Sequence, residues 1–195
     1  VRRSAATVGT KPEPKYDLQR DCEFDIDRAS LDVTTRSVDV SFSSETKSVT
    51  IFGTPQILVH ERKSMVLTNL KRGSVLFHHD PTNIVGRVSN VRLDEDRIGR
   101  ATIIFDDDDQ GNHAMRKVQS GSLRGISVGA KVQTWARLEN NEEWKSPEGR
   151  TFRGPADLAV KWTPVEISLT PTPADDAVGV GRADGLEHET MNKKL

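Results

Sequence analysis

The sequence predicts a mainly β (α+β) fold, an antiparallel β-barrel with a few helices on its outside. Three observations carry the prediction. Many short segments alternate apolar and polar residues with a period of two, the pattern of half-buried strands. Clusters of Gly, Pro, Asp and Asn punctuate them at turn-like intervals. Helical periodicity is confined to one or two brief stretches, and both ends of the chain are polar.

Taken in order, residues 1–35 carry Pro12, Pro14 and many charges without a sustained period, so they read as a mobile N-terminal arm with a short ordered piece near Phe24–Ile26. Val38, Val40 and Phe42 alternate with polar residues, and Val49 and Ile51 follow a polar turn, which predicts a hairpin. Gln56–His60 is a further strand, and Met65–Leu70 a helical turn. Val75–His79 is a strand ending at the breaker Asp80-Pro81. Ile84–Leu93 and Arg97–Phe105 form a second hairpin around Asp94-Glu95-Asp96. The four acids Asp106–Asp109 lack the alternating oxygens and closing glutamate of a calcium loop; they suit the N-terminus of a helix over Asn112–Gln119, with Ala114, Met115 and Val118 on one side. Ile126, Val128, Ala130 and Val132 make the next strand. Residues 138–158 read as a long exposed loop, and Leu158–Trp162 and Val165–Leu169 as two more strands. Asp175 to Leu195 reads as a loose tail. Val1 stands where an initiator methionine would, which leads us to expect a processed or trimmed product.

Composition narrows the function. A chain of 195 residues has room for one domain with a real core plus tails. Its 28 basic and 29 acidic residues give no excess that would attract nucleic acid or an anionic membrane. No apolar run is long enough to span a bilayer, and no signal-peptide pattern opens the chain. Cys22 is the single cysteine, so no internal disulfide forms. We therefore expect a soluble protein of a reducing compartment. No histidine or cysteine spacing suits a metal, and no phosphate loop or dinucleotide fingerprint occurs, so no cofactor is expected.

One stretch has the pattern of a nucleophile. Alternation sends Ile126, Val128 and Ala130 to one face and Ser127 to the other, and Gly125 and Gly129 bracket the serine without a Cβ. Acyl transfer by serine needs a base and a group that orients it. His60, His78, His79, His113 and His188 are the histidines available. His188 falls in the tail and His113 at an exposed helix start; His60 ends a strand beside a charged loop. His78 and His79 end a strand at a breaker, and alternation gives them opposite directions, which leaves a base or a pair of half-exposed strand-end residues equally open. Glu166 alternates with Val165 and Ile167, so it is either the orienting acid or a carboxylate on a wet strand face.

Three blocks, in order, resemble the prohead proteases of tailed phages, serine proteases of capsid maturation related in fold to the herpesvirus assemblins. Gly73-Ser74-Val75-Leu76-Phe77-His78-His79-Asp80, with Ile84-Val85-Gly86-Arg87-Val88 after it, is similar to the family's strand that ends in His-Asp or His-Asn. Gly121-Ser122-Leu123-Arg124-Gly125-Ile126-Ser127-Val128-Gly129 resembles its nucleophile strand. Trp162-Thr163-Pro164-Val165-Glu166-Ile167-Ser168-Leu169, then Pro173-Ala174-Asp175, resembles its closing Glu-x-Ser-Leu stretch, and Val40-Ser41-Phe42-Ser43-Ser44-Glu45 is similar to its opening. Ala130 departs from the pattern, where many members carry an aromatic.

The resemblance implies a protease domain over 36–178 between an arm, 1–35, and a flexible tail, 179–195. It implies Ser127 as nucleophile, His79 as general base and Glu166 as the third residue, with oxyanion donors near Arg124–Gly125. The implied activity is that of a serine endopeptidase cleaving scaffold segments of the major capsid protein, and itself, inside the assembling prohead in the host cytoplasm. The assemblin likeness implies a homodimer. The rival readings are a non-catalytic capsid-assembly factor that keeps the fold and, more remotely, an unrelated β-barrel binding module. Neither has a need for Ser127, His79 and Glu166 together.

Overall fold

The structure is a computed structural model, and it describes residues 18–26, 28–45, 49–51 and 54–171. Its strands are β1 (Leu18–Asp25), β2 (Ser37–Ser44), β3 (Val49–Ile51), β4 (Thr54–Leu58), β5 (Ser74–Phe77), β6 (Asp80–Leu93) and β7 (Ile98–Phe105). The single long helix among the described residues, α1 (Asp109–Ser120), leads into β8 (Gly125–Leu138), β9 (Glu143–Lys145), β10 (Thr151–Arg153) and β11 (Ala156–Thr170). The expected β class is thus the observed one.

The main sheet runs β1-β8-β11-β5-β6-β7-β2, with β4 added to β11 and β3 to β4. It curls into a half-barrel rather than the closed antiparallel barrel expected from the sequence. Near its ends, one antiparallel bridge joins Ile26 to Val40. Nor is it wholly antiparallel: β11 pairs parallel to both β4 and β5. Parallel neighbours require long crossovers, and the chain between β5 and β11 supplies one by way of β6, β7, α1 and β8.

Alternation explains the core. Val38, Val40 and Phe42 of β2, Ala101, Ile103 and Phe105 of β7, Ile126, Val128 and Ala130 of β8, and Ile167 and Leu169 of β11 all lie buried in one cluster. Each large aliphatic so buried contributes about 1.5–3 kcal/mol, which fixes the register of the strands that carry the polar site on the other face. Asp108 caps α1 by accepting the Gly111 amide at 2.7 Å, and Gly121, at φ 76°, closes it in the left-handed region.

Several elements differ from the sequence reading. The ordered piece near Phe24–Ile26 extends back to Leu18, because β1 is held by main-chain pairing to β8, which needs no apolar period. β2 pairs with β7, and β3 with β4, so Ser37–Ile51 is not one hairpin. The 3₁₀ turn lies at Leu70–Arg72, past the expected Met65–Leu70, while Met65 bridges Trp162. The supposed loop 138–158 folds its middle into the β9–β10 hairpin, pinned by a Trp144–Phe152 contact. The two strands expected at Leu158–Leu169 are one, β11, whose irregularities around Lys161 and between Pro164 and Glu166 interrupt the sequence period without ending the ladder. The tail after Pro171, residues 1–17 and His188 lie outside the described residues.

Candidate active site

Ser127 is the third residue of β8, paired across the ladder with Ser168 of β11. Paired residues share a face, so both hydroxyls project opposite the buried Ile126, Val128 and Ile167. Glu166 pairs with Gly129 just after the β11 irregularity. A Cβ at position 129 would stand 2.4 Å from Glu166 Oε1. The glycine therefore makes the room in which the carboxylate lies.

His78 and His79 are not strand-end residues. Phe77 of β5 pairs with Asp80 of β6, and the two histidines form the two-residue turn between them, at φ 55° and 57°. Tight hairpin turns require such positive φ, and histidine enters that region more readily than most side chains. Asp80 firms the turn: its carboxylate accepts from the Thr82 amide at 2.8 Å and the Thr82 hydroxyl at 2.6 Å. Those bonds, the hydroxyl's foremost, hold the Asp80 carboxyl below its usual value. The turn docks on β11 through two amides. His78 N donates to Leu169 O at 2.9 Å, and His79 N donates to Ser168 Oγ at 3.1 Å.

This docking closes a polar chain. His79 Nε2 lies 2.8 Å from Ser127 Oγ, and His79 Nδ1 lies 2.8 Å from Glu166 Oε1. The Ser168 hydroxyl donates to Glu166 Oε2 at 2.7 Å. An ionised carboxylate only accepts, so Nδ1 carries the proton and Nε2 offers its lone pair to the Ser127 hydroxyl. The His79 and Glu166 side chains are 12% and 18% exposed, so a positive charge arising on the ring would be poorly screened from the carboxylate. An imidazole held this way is able to take a proton from Ser127 and to keep the resulting charge beside a carboxylate.

All three residues singled out in the sequence thus converge. His78 is exposed, and His113 lies exposed on α1. His60 makes a second serine–histidine pair of another kind. Its Nδ1 donates to Leu58 O at 2.7 Å and its Nε2 accepts from Ser43 Oγ at 2.7 Å, but both residues are buried and Nδ1 is bonded to a main-chain carbonyl. Packed 5.2 Å from Trp162, it pins the core. Ser168 is the site residue that sequence reasoning passed over. The available signal was its spacing of two from Glu166, which puts both on one strand face. Among the described residues no cluster of His, Cys, Asp or Glu is arranged to hold a metal ion, and no helix is long and apolar enough to cross a membrane.

The model of the caudovirus prohead serine protease family matches residues 42–193. The chain belongs to that family. The recognised blocks of the sequence lie largely inside the match, and a protease of phage capsid maturation is the class it indicates. The chain is also similar to the major capsid protein of Halomonas phage phiHAP-1, at 28% identity over 140 residues, which covers 70% of this chain and 22% of that one. It therefore spans about a fifth of the length of this curated relative. No solved structure matches.

Proposed function

We propose that the protein is a serine endopeptidase of phage head maturation, with Ser127 as nucleophile, His79 as general base and then acid, and Glu166 as the group that orients the imidazole. The observation that supports this most is the unbroken chain of 2.8 Å contacts from Glu166 through His79 to Ser127. Ser127 Oγ attacks the scissile carbonyl while its proton passes to His79 Nε2. The imidazolium is stabilised by Glu166 and gives that proton to the departing amine. Water then repeats the exchange on the acyl-enzyme. Main-chain amides near Arg124–Gly125 are the proposed oxyanion donors. Arg124 Nε donates to Gly121 O at 2.6 Å, which stiffens that turn. Ser168 positions Glu166 and the His79 turn without touching substrate. The reaction as written calls for no cofactor.

Scaffold segments of a major capsid protein are the proposed substrate, along with the chain's own termini, inside the assembling head. Support comes from the phage relative, in which a stretch like this chain belongs to a much longer polypeptide named as a capsid protein. A homodimer of assemblin-like fold belongs to the same proposal. One observation favours the rival, a capsid-assembly factor without activity: Ser127 has no exposed surface.

The deciding experiment is co-expression with the capsid polypeptide. Ser127→Ala removes one oxygen and no core volume, so it leaves thermal stability unchanged and lowers cleavage roughly a thousandfold or more. Cleavage by Ser127→Ala at the unsubstituted rate excludes Ser127, and absence of cleavage by both chains favours the assembly factor.

A further inference from the structure

A strand has two hydrogen-bonding edges, and on β8 both are taken. One edge carries β11. The other carries β1, antiparallel, and the pairing is broken at one point. Leu18, Gln19 and Arg20 pair with Ala130, Gly129 and Val128, and Phe24 and Asp25 pair with Ile126 and Gly125. The register shifts between Arg20 and Phe24, so three residues, 21–23, stand opposite the single position Ser127. The segment thus grips β8 on both sides of the candidate nucleophile and leaves the ladder at the nucleophile itself. Ser127 is fully buried, so no peptide carbonyl reaches it until something moves.

We propose that the edge of β8 from Gly125 to Ala130 is where the substrate docks, as an added antiparallel strand, and that β1 is this chain's own displaceable occupant of that edge. The proposal rests on Ser127 being the nucleophile. Main-chain pairing on both sides of a reaction centre holds an extended peptide with little demand on its sequence. β1 itself fits that mode, since polar residues fill five of its eight positions and Arg20 interrupts the alternation of Leu18, Cys22 and Phe24 with Gln19, Asp21, Glu23 and Asp25. The anchor is the next residue. Ile26 is fully buried and bridged to Val40, so β1 is free to peel from β8 while the chain remains fastened behind it. A tethered strand acts at an effective concentration in the millimolar range. Substrate therefore competes with β1, and its apparent affinity falls by the fraction of molecules whose edge is open.

The test uses the full chain carrying Ser127→Ala, so that nothing is cleaved, with and without Gln19→Pro plus Arg20→Pro. Of two successive strand residues one turns its N–H toward the neighbour, so the proline pair removes a β1–β8 donor whichever residue holds it. The probe is a dye-labelled peptide copying residues 16–27, titrated by fluorescence anisotropy. Binding at least tenfold tighter to the proline chain is the result expected; equal affinity, or no binding to either, overturns the proposal. Hydrogen exchange on the Ser127→Ala chain without prolines is a second measurement that does not depend on the variant folding. Amides of 125–130 that face β1 exchange much faster than those that face β11. Equal protection on the two edges means that β1 is a permanent strand and the proposal is wrong. The catalytic reading fails separately. If peptide binding behaves as expected and Ser127, with and without the proline pair, proves unreactive toward a fluorophosphonate, the docking edge stands and the nucleophile falls.

Discussion

At the scale of single residues the site depends on one histidine out of an adjacent pair. Sequence alternation assigns His78 and His79 opposite directions, and the ring of His79 is indeed the one between Ser127 and Glu166. The reason is different, however. Both residues occupy a two-residue turn at positive φ, where strand alternation does not apply, and the bond from His79 N to Ser168 Oγ sets the ring's approach. No spacing in the sequence announces a turn built from two histidines, because glycine and asparagine are the residues that usually mark one. Since His78 is exposed and His79 joins two polar partners, His79→Ala lowers cleavage of a capsid substrate roughly a thousandfold and His78→Ala changes it less than about tenfold. Glu166→Gln falls between them, as an orienting group usually does. Steady-state kinetics on the three variants checks the order; a deeper loss in His78→Ala than in His79→Ala moves the base to His78.

At the scale of elements, β8 and β11 are the device that positions the carboxylate and the hydroxyl. The period of two in Ile126–Val132 was enough to assign Ser127 to the face opposite the core. The same reading split β11 in two, because Lys161 and Pro164 break the alternation in a strand that tertiary pairing keeps whole. Gly129 was legible as a bare position, but not as the space that Glu166 occupies, since no sequence pattern links residues on two strands. Gly129→Ala drives a methyl to 2.4 Å from Glu166 Oε1, so the carboxylate must shift. Displacement of about 1 Å in an orienting group costs on the order of a hundredfold in rate. We expect that loss in kcat/KM while the variant still unfolds cooperatively. Unchanged kinetics in Gly129→Ala contradicts the role given to Glu166.

At the scale of the whole molecule, the β class followed from the many short alternating runs, while the half-barrel and its parallel pairs did not. Topology is decided by which strands meet, and two runs such as Val75–Phe77 and Ile167–Leu169 look alike whether they pair parallel or antiparallel. The molecule's response to acid is written in its turns. Asp96 is held below the ordinary aspartate value of 3.8, chiefly by hydrogen bonding from Arg100. Asp32 is likewise lowered, chiefly by Thr35. A carboxyl whose folded value is depressed gives its full stabilisation above its unfolded value and loses it as pH falls through the folded value. The stabilisation these two carboxylates contribute is therefore flat down to about pH 4 and declines below. Asp96→Asn removes part of that decline, so its melting temperature lies under that of the unsubstituted chain near neutrality and converges on it in acid. Thermal melts between about pH 7 and pH 2 read this directly, and parallel curves for the two chains mean that Asp96 contributes no charge-dependent stability.

The central claim is that Ser127 is a nucleophile activated by His79, and covalent labelling tests it most directly. The full chain, with and without the proline pair in β1, is treated with a small fluorophosphonate and digested, and the modified residue is located by mass spectrometry. The account predicts a single adduct on Ser127, formed faster when the prolines weaken β1, and lost in His79→Ala. An adduct on another serine, no adduct in either chain, or equal labelling of Ser127 in His79→Ala contradicts it.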